Sequence, residues 1–504
     1  MEIPVKSSLS EVYAHPETQQ KRYDNILEGF SSRYGQKPDL VLRSPGRVNI
    51  IGDHIDYCLF SVLPMAVTAD MIMAIKFTDD ETFQVANVSP QFEPQTFSLP
   101  KDGSQVPIDA SKSDWVNYYK CGLVVGMRFL AQKGVPNRRG VKVLIDGNVP
   151  TGSGLSSSAA FVVCSTLATL LANGFKDVSK KLLTELSIQC EQLVGVNSGG
   201  MDQSASIFGL IAHALYVSFL PELNVKPFAF PSTDPKLAFV VANSLITSNK
   251  HETGPVNYNL RVVEVTLGAL LMAKKLGLKI RPDGNLQAGT FRGVLDAYFD
   301  KAAKPYGDDI DDARAKLEKM DQLVDETITN KDGYTTEEIA AELGVSADEV
   351  KQRYMTTYPV RFDKLKLYPR AKHVFQEAKR VLDFLALLQA APSSTEELFS
   401  GLGMLMNQSQ DSAETQFNNS CPELDDICRI ARAAGAAGSR TTGAGWGGSS
   451  VHLVPANKTD DVIKALTEKY YKKRFPNITD AEISDALLVS EPGAGTVVFE
   501  NLSL

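Results

Sequence analysis

Between Val149 and Ala160 the chain reads Val-Pro-Thr-Gly-Ser-Gly-Leu-Ser-Ser-Ser-Ala-Ala, a spacing of glycines and hydroxyls that suits an anionic phosphate. Gly152 and Gly154 allow backbone angles and a close approach that a Cβ would block. Ser156, Ser157 and Ser158 fall where a new helix has unpaired N–H groups, and those donors together with the positive dipole end attract phosphate oxygens. The apolar run Phe161–Leu171 is spaced as a buried helix, so the side chain of Ser156 is expected to cap it. A plain loop with an N-cap would have the same text, and the partners of this loop must decide between the two.

Two more segments concentrate polar residues that a core would not choose. Pro45-Gly46-Arg47-Val48-Asn49-Ile50-Ile51-Gly52-Asp53-His54-Ile55-Asp56-Tyr57 places an arginine, an asparagine, two carboxylates and a histidine on a strand and its exit turn. Strand alternation puts Arg47 and Asn49 on one face. Such a cluster suits a polyhydroxylated ligand, although a solvated turn with an ion pair could use the same residues. The second segment, Gly438-Ser-Arg-Thr-Thr-Gly-Ala-Gly-Trp-Gly-Gly448, formally contains the Gly-x-Gly-x-x-Gly dinucleotide pattern. It follows a helix and runs into a strand, the reverse of what that fingerprint requires. No Gly-x-x-x-x-Gly-Lys-[Ser/Thr] occurs either, so the phosphate loop belongs to some other nucleotide fold.

The elements that must position these groups alternate between β-rich and helical text. Thr18–Tyr34 and Trp115–Gln132 have helical periodicity. Leu40–Ser44 and Val48–Ile51 read as strands on either side of Pro45-Gly46, followed by Val62–Thr68, Met71–Phe77 and Val141–Ile145. This is an α+β plan with a mixed sheet. From Leu237 the pattern restarts with a strand, an amphipathic helix over Tyr258–Leu276 and another over Pro422–Ala434. Two domains are expected, 1–235 and 236–504, the second carrying a polar, acidic helical insertion over about 281–359 that reads as a surface layer. Within it, Glu338–Ser346 has helix-turn-helix text, but Thr335–Arg353 holds five acidic residues against two basic ones, which favours a plain helical hairpin over a DNA reader.

At 504 residues the chain is long for one hydrophobic core. Its net charge of −8 argues against nucleic acid or an anionic membrane recognised through bulk charge. Six scattered cysteines suggest reduced thiols, and the start of the chain lacks the text of a secretory signal, so the cytoplasm is expected. Neither the histidines nor the cysteines have the spacing of a structural zinc site.

Taken in order, the Pro-Gly-Arg-Val-Asn cluster, the Pro-x-Gly-x-Gly-Leu-Ser-Ser-Ser-Ala loop and the Gly-Ala-Gly-Trp-Gly-Gly loop resemble the three motifs of the GHMP small-molecule kinases, the first in its galactokinase form. The resemblance extends through Gly199-Gly-Met-Asp-Gln203, Asn257-Tyr-Asn-Leu-Arg261, Arg370-Ala-Lys-His-Val374 and Leu405-Met-Asn-Gln-Ser409. It implies a two-domain fold with the active site in the cleft between domains, and transfer of the γ-phosphoryl group of ATP to the C1 hydroxyl of galactose. Gly152, Ser153, Gly154, Leu155, Ser156, Ser157 and Ser158 would cradle the triphosphate, with Trp115 near the adenine. Ser157 or Ser158, with Glu191, would hold Mg²⁺; Glu191 could equally be a helix-surface charge. Asp202 matches the catalytic aspartate and Arg47 its neighbour, where the arginine would favour the ionised carboxylate. Arg47, Asn49, Asp53, His54, Asp56, Gly200, Asp202 and Tyr258 would receive the sugar.

One position departs from the family. Its text is Gly-Glu-His where this chain has Gly52-Asp53-His54, one methylene shorter at the carboxylate that typically grips the primary hydroxyl of the sugar. The resemblance also leaves two neighbouring readings: N-acetylgalactosamine kinase, and a galactose- and ATP-sensing co-inducer that binds a transcriptional repressor. The sensor's loop is shortened after its serines, whereas Ser158-Ala159-Ala160 is intact here. A monomer without membrane or direct nucleic-acid partners is expected.

Overall fold

The computed structural model describes residues 2–109, 114–135, 138–150, 152–193, 199–246, 253–300, 305–356, 359–390 and 394–503. Thr151 of the phosphate loop and residues 301–304 and 357–358 of the expected insertion lie outside them. The strands are β1 (Val5–Ser8), β2 (Leu40–Ile51), β3 (Leu63–Phe77), β4 (Thr82–Asn87), β5 (Gln95–Ser98), β6 (Val141–Gly147), β7 (His213–Ser218), β8 (Asn224–Ala229), β9 (Leu237–Asn243), β10 (Gly438–Thr442), β11 (Ser449–Pro455), β12 (Leu487–Ser490) and β13 (Val497–Ser503). The helices that bear on the site are α1 (Glu17–Tyr34), α2 (Val116–Gln132), α3 (Ser157–Ala172), α4 (Lys180–Leu193), α5 (Met201–Phe208), α6 (Tyr258–Lys275), α7 (Ile310–Thr327), α8 (Leu367–Gln389), α9 (Thr395–Ser412) and α10 (Pro422–Ala433).

The architecture is α+β. A seven-stranded mixed sheet runs β1-β13-β2-β3-β6-β4-β5, and a four-stranded antiparallel sheet runs β10-β11-β9-β12. The division expected at residue 235 assigns the C-terminal strand to the second unit, whereas β13 hydrogen-bonds between β1 and β2 in the first sheet. On one face of that sheet α2, α3 and α4 bury an apolar cluster that includes Leu42, Met73, Val143, Leu123, Val163 and Leu167. α1 covers the other face with Tyr23, Ile26 and Phe30. The largest cluster runs from Val48 and Ile50 of β2 into Val241 of β9, Val451 of β11 and the helices α6 and α8, so the two sheets share one core along their seam.

Three expectations from the sequence differ from the fold. Pro45-Gly46 does not separate two strands: β2 continues through it with a bulge, Pro45 opposite Asp70 and Arg47 opposite Ala66, and bulges are where strands tolerate proline. Likewise Val62–Thr68 and Met71–Phe77 form the single strand β3. The insertion is no mere surface layer either, because α7 buries Leu317, Met320, Leu323 and Val324 in the shared core. Its acidic residues occupy only the outer face of an amphipathic helix, which gives the segment the text of a surface layer. The following pair, Thr336–Leu343 and Ala347–Tyr354, forms the expected hairpin, opened by a capping box between Thr335 and Glu338.

Candidate active site

The phosphate loop leaves β6, and α3 begins at its far end. Gly152 and Gly154 have φ of +70° and +78°, left-handed values that favour glycine. Ser156 shares that conformation at φ +58°, and its side chain does not cap α3, contrary to expectation. The left-handed backbone turns the hydroxyl away from the helix, and Ser156 Oγ instead donates to Asp202 Oδ2 at 2.5 Å. The first helical bond runs from Ala160 N to Ser156 O, which leaves the amides of Ser157, Ser158 and Ala159 without an intrahelical acceptor. Ser153 Oγ is turned back onto Pro150 O, and Leu155 is buried, so these two face the loop's own core.

Arg47 ties this loop to the strand beneath it. Its N–H donates to Leu155 O at 3.0 Å and its Nη1 to Gly154 O at 2.5 Å. The approach is possible because Gly46 has no side chain; a Cβ there would lie 2.7 Å from Leu155 O. Arg47 Nε donates to Asp202 Oδ1 at 2.7 Å, with the arginine side chain 5% exposed and the aspartate 20%. Asp202 sits in the first turn of α5, whose N-cap Gly200 has φ +101°. The arrangement therefore holds a partly open carboxylate between an arginine and a serine at the helix start of the phosphate loop. Beside it, Ser158 Oγ donates to Glu191 Oε1 of α4 at 3.1 Å, and Glu191 is buried.

The exit turn of β2 supplies the remaining polar groups. Asp56 lies against the Gly199-Gly200 turn, where a Cβ on Gly199 would be 2.4 Å from Asp56 Oδ2. Burial, with the nearby Asp202 charge adding to it, pushes the Asp56 carboxyl up to about 7. Tyr258, at the start of α6, sets its ring 5.4 Å from His54 and 5.7 Å from Tyr57, and burial, with the Asp56 and Asp202 charges adding to it, raises its hydroxyl well above its usual range. His54 is neutral, because burial lowers its imidazole to about 3. Its Nε2 donates to the Ala444 carbonyl at 3.0 Å, which fixes the tautomer and leaves Nδ1 to accept from Tyr57 Oη at 2.8 Å. Asp53, 1% exposed, receives Asn49 Nδ2 on Oδ1 at 2.6 Å and Arg440 Nη2 on Oδ2 at 2.7 Å.

Arg440 and the loop after it come from the second sheet; the glycine loop is one of the motifs that the resemblance singles out, whereas the role of Arg440 is not read from the sequence. Arg440 also donates to Asn49 O at 2.9 Å and to Ser409 Oγ at 3.0 Å, so it pins the exit turn of β2 to β10 and α9. A long cation in a strand otherwise built of Gly, Ser and Thr was the available signal. Gly443, at φ +83°, brings the β10–β11 loop against the phosphate loop, where a Cβ would meet Gly154 O at 2.7 Å. Trp115 lies apart from this cluster, at the start of α2, with Nε1 donating to Glu93 O and its ring edge-on to Phe161 one turn into α3.

Glycine-rich backbone at a helix start, a carboxylate–arginine pair beside it and a second glycine loop closing from the other sheet define a small-molecule kinase of the GHMP class. The chain matches the GHMP kinase N-terminal domain over residues 117–210 and the GHMP kinase C-terminal domain over 390–472. It also matches the galactokinase galactose-binding signature over residues 28–77. The galactokinase of Schizosaccharomyces pombe is 42% identical over 99% of both chains, and that of Saccharomyces cerevisiae 45% identical over 94% of both. The chain belongs to the galactokinase family. The galactose complex of Lactococcus lactis galactokinase shares the fold with a TM-score of 0.66, at 22% identity, covering 94% of this chain and 99% of that one. Among the described residues no helix is long and apolar enough to cross a membrane.

Proposed function

We propose that this chain transfers the γ-phosphoryl group of ATP to the C1 hydroxyl of galactose, with Asp202 and Arg47 as the catalytic pair. The observation that carries this reading is the position of Asp202, held by Arg47 Nε at 2.7 Å and Ser156 Oγ at 2.5 Å where the phosphate loop meets the polar turn 53–56. Phosphoryl transfer leaves little covalent work to the protein, and positioning and charge stabilisation dominate. Asp202 orients the C1 hydroxyl. As the C1 oxygen bonds to the γ-phosphorus, the bond from that phosphorus to the β–γ bridging oxygen breaks, and the hydroxyl proton passes to Asp202. Arg47 places positive charge beside the transferring group, and the free amides of Ser157, Ser158 and Ala159 receive phosphate oxygens.

Galactose hydroxyls are received by Asp56, Tyr258 and the Gly200 turn. Asp53 and His54, already bonded within the protein, shape this pocket from behind, and Asn49 donates Nδ2 to Asp53 while its Oδ1 is left unpartnered. Ser158 and Glu191 suit Mg²⁺, being hard oxygen donors 3.1 Å apart at the phosphate loop, and this contact supports Ser158 rather than Ser157 as the serine that would hold it. When bound, that ion would neutralise charge on the triphosphate. Trp115, edge-on to Phe161 of α3, would flank the adenine. The chain acts as a cytoplasmic monomer, and its intact Ser158-Ala159-Ala160 supports turnover rather than sensing alone. Initial rates with galactose and with N-acetylgalactosamine test the reading; absence of turnover on galactose would overturn it.

A further inference from the structure

Trp446 is a non-glycine residue in left-handed backbone, at φ +55°, between Gly445 at +80° and Gly447 at +122°. Such a conformation persists only where the surroundings impose it. Here three contacts impose it. The indole Nε1 donates to Asn418 O at 2.7 Å, the backbone N–H donates to Asn419 O at 2.9 Å, and the ring lies edge-on to His54 with centroids 5.5 Å apart. Arg261 covers the ring at 5.5 Å.

The carbonyls that hold Trp446 are themselves fixed. They end a π turn, Ala413–Phe417, that closes at Asn418, another left-handed residue. Arg261 Nε donates to Phe417 O at 2.7 Å and Nη2 to Asn418 O at 3.3 Å, while Arg370 Nη1 reaches Gln416 O and, at 2.8 Å, Asn418 Oδ1. Glu264, almost wholly buried, holds both arginines, at 3.0 Å from Arg261 and 2.8 Å from Arg370. A rigid charged clamp thus anchors the tryptophan. Two residues before Trp446, Ala444 O accepts from His54 of the sugar turn; one residue earlier, Gly443 packs on Gly154 O and Arg47 of the phosphate loop.

We propose that Trp446 is a positioning residue that sets the distance between the sugar turn at His54 and the phosphate loop at Gly154. It touches neither reacting group; it holds the Gly443–Ala444 backbone that touches both. The inference rests on the assignment of those two segments to galactose and to the triphosphate. A displacement of about 1 Å between bound reactants is enough to lower turnover up to about 100-fold.

The test compares Trp446→Phe, Trp446→Ala and Trp446→Gly with wild-type enzyme on galactose and ATP. Trp446→Ala is expected to lower kcat about 10- to 100-fold with each KM changed less than threefold, and Trp446→Gly, which relieves the backbone, is expected to do no better. Trp446→Phe keeps a ring against His54 and Arg261 and is expected to recover part of the loss, while remaining at least threefold below wild type. Should the smaller substitutions fail to fold, the phenylalanine variant decides: a kcat within threefold of wild type overturns the proposal, as does a loss confined to the KM of one substrate. Recovery in Trp446→Gly would also overturn it, by assigning the role to the backbone. Lack of galactose turnover in wild-type protein would instead refute the assignment of the two segments.

Discussion

Replacement of Asp202 by asparagine separates the binding role of the carboxylate from its role in proton transfer. In the folded protein Asp202 accepts two bonds, from Arg47 Nε at 2.7 Å and from Ser156 Oγ at 2.5 Å. An asparagine can present its carbonyl to Arg47 and its amide to Ser156, whose oxygen can accept, so neither partner is orphaned. The ground-state loss is the difference between a charge-assisted and a neutral hydrogen bond, about 1 kcal/mol, and less where the side chain is partly solvated as this one is. Loss of the proton acceptor is far larger, about 10²- to 10⁴-fold in rate, or about 2.7–5.4 kcal/mol of barrier. Asp202→Asn should therefore keep its thermal midpoint and its calorimetric affinities for galactose and a non-hydrolysable ATP analogue within a fewfold, while kcat from coupled ADP release falls at least about 100-fold. A kcat within tenfold of wild type, with intact binding, would remove Asp202 from the reaction.

Asp56 gives a pH signature. Its carboxyl titrates near 7 in the fold against 3.8 ordinarily, so the folded state holds the proton more tightly and this group's contribution to stability falls as pH rises between about 4 and 7. Sugar hydroxyls donating to the ionised form predict that galactose affinity weakens as pH falls through 7, and that Asp56→Asn flattens the profile; titration calorimetry showing tighter binding at low pH would mean a protonated Asp56 donates instead. Asp53→Ala leaves Arg440 buried without its partner and should destabilise the protein by about 3–5 kcal/mol in chemical denaturation, a loss under 1 kcal/mol counting against the pair. Gly154→Val forces a branched side chain into φ +78° with Thr442 O only 3.2 Å from its Cβ, so nucleotide affinity should drop more than about tenfold; unchanged affinity would refute the cradle. Ser158→Ala should raise the Mg²⁺ concentration needed for half-maximal rate, and the same substitution at Ser157 should not.

How far the sequence discloses the fold depends on the range of the forces at work. α1, α2, α6 and α10 agree with their periodicity to within a residue or two at each end, because an amphipathic stripe and a terminal Gly or Pro are local signals. Pro45-Gly46 reads as a strand break because its meaning is tertiary: the glycine lets Leu155 O approach, and the proline sits at a bulge that no neighbouring residue announces. The same holds for β13, which finds its partners in β1 and β2 across almost the whole chain. Acidic text in α7 concealed a buried stripe that only its packing against α8 makes visible.

The candidate site was legible in its residue types and in the pairing of Arg47 with Asp202, while the partners of its serines and of Asp53 were not. Motif order brought Arg47, Asp202, Ser156, Ser158 and Glu191 to attention, but which hydroxyl meets which carboxylate depends on the left-handed turn at Ser156, a conformation that serine text does not signal. Asp53 shows the consequence most clearly. Read against its family it is a shortened sugar ligand; in the fold both oxygens are already bonded, one to Asn49 and one to Arg440 from the other sheet. A carboxylate one methylene shorter sits closer to β2, where it can close the pair with Arg440 that joins the two sheets behind the pocket. The substitution thus bears on the rigidity of the turn carrying His54 and Asp56 as much as on any direct contact with the sugar, and the stability of Asp53→Ala measured beside its galactose affinity separates those two contributions.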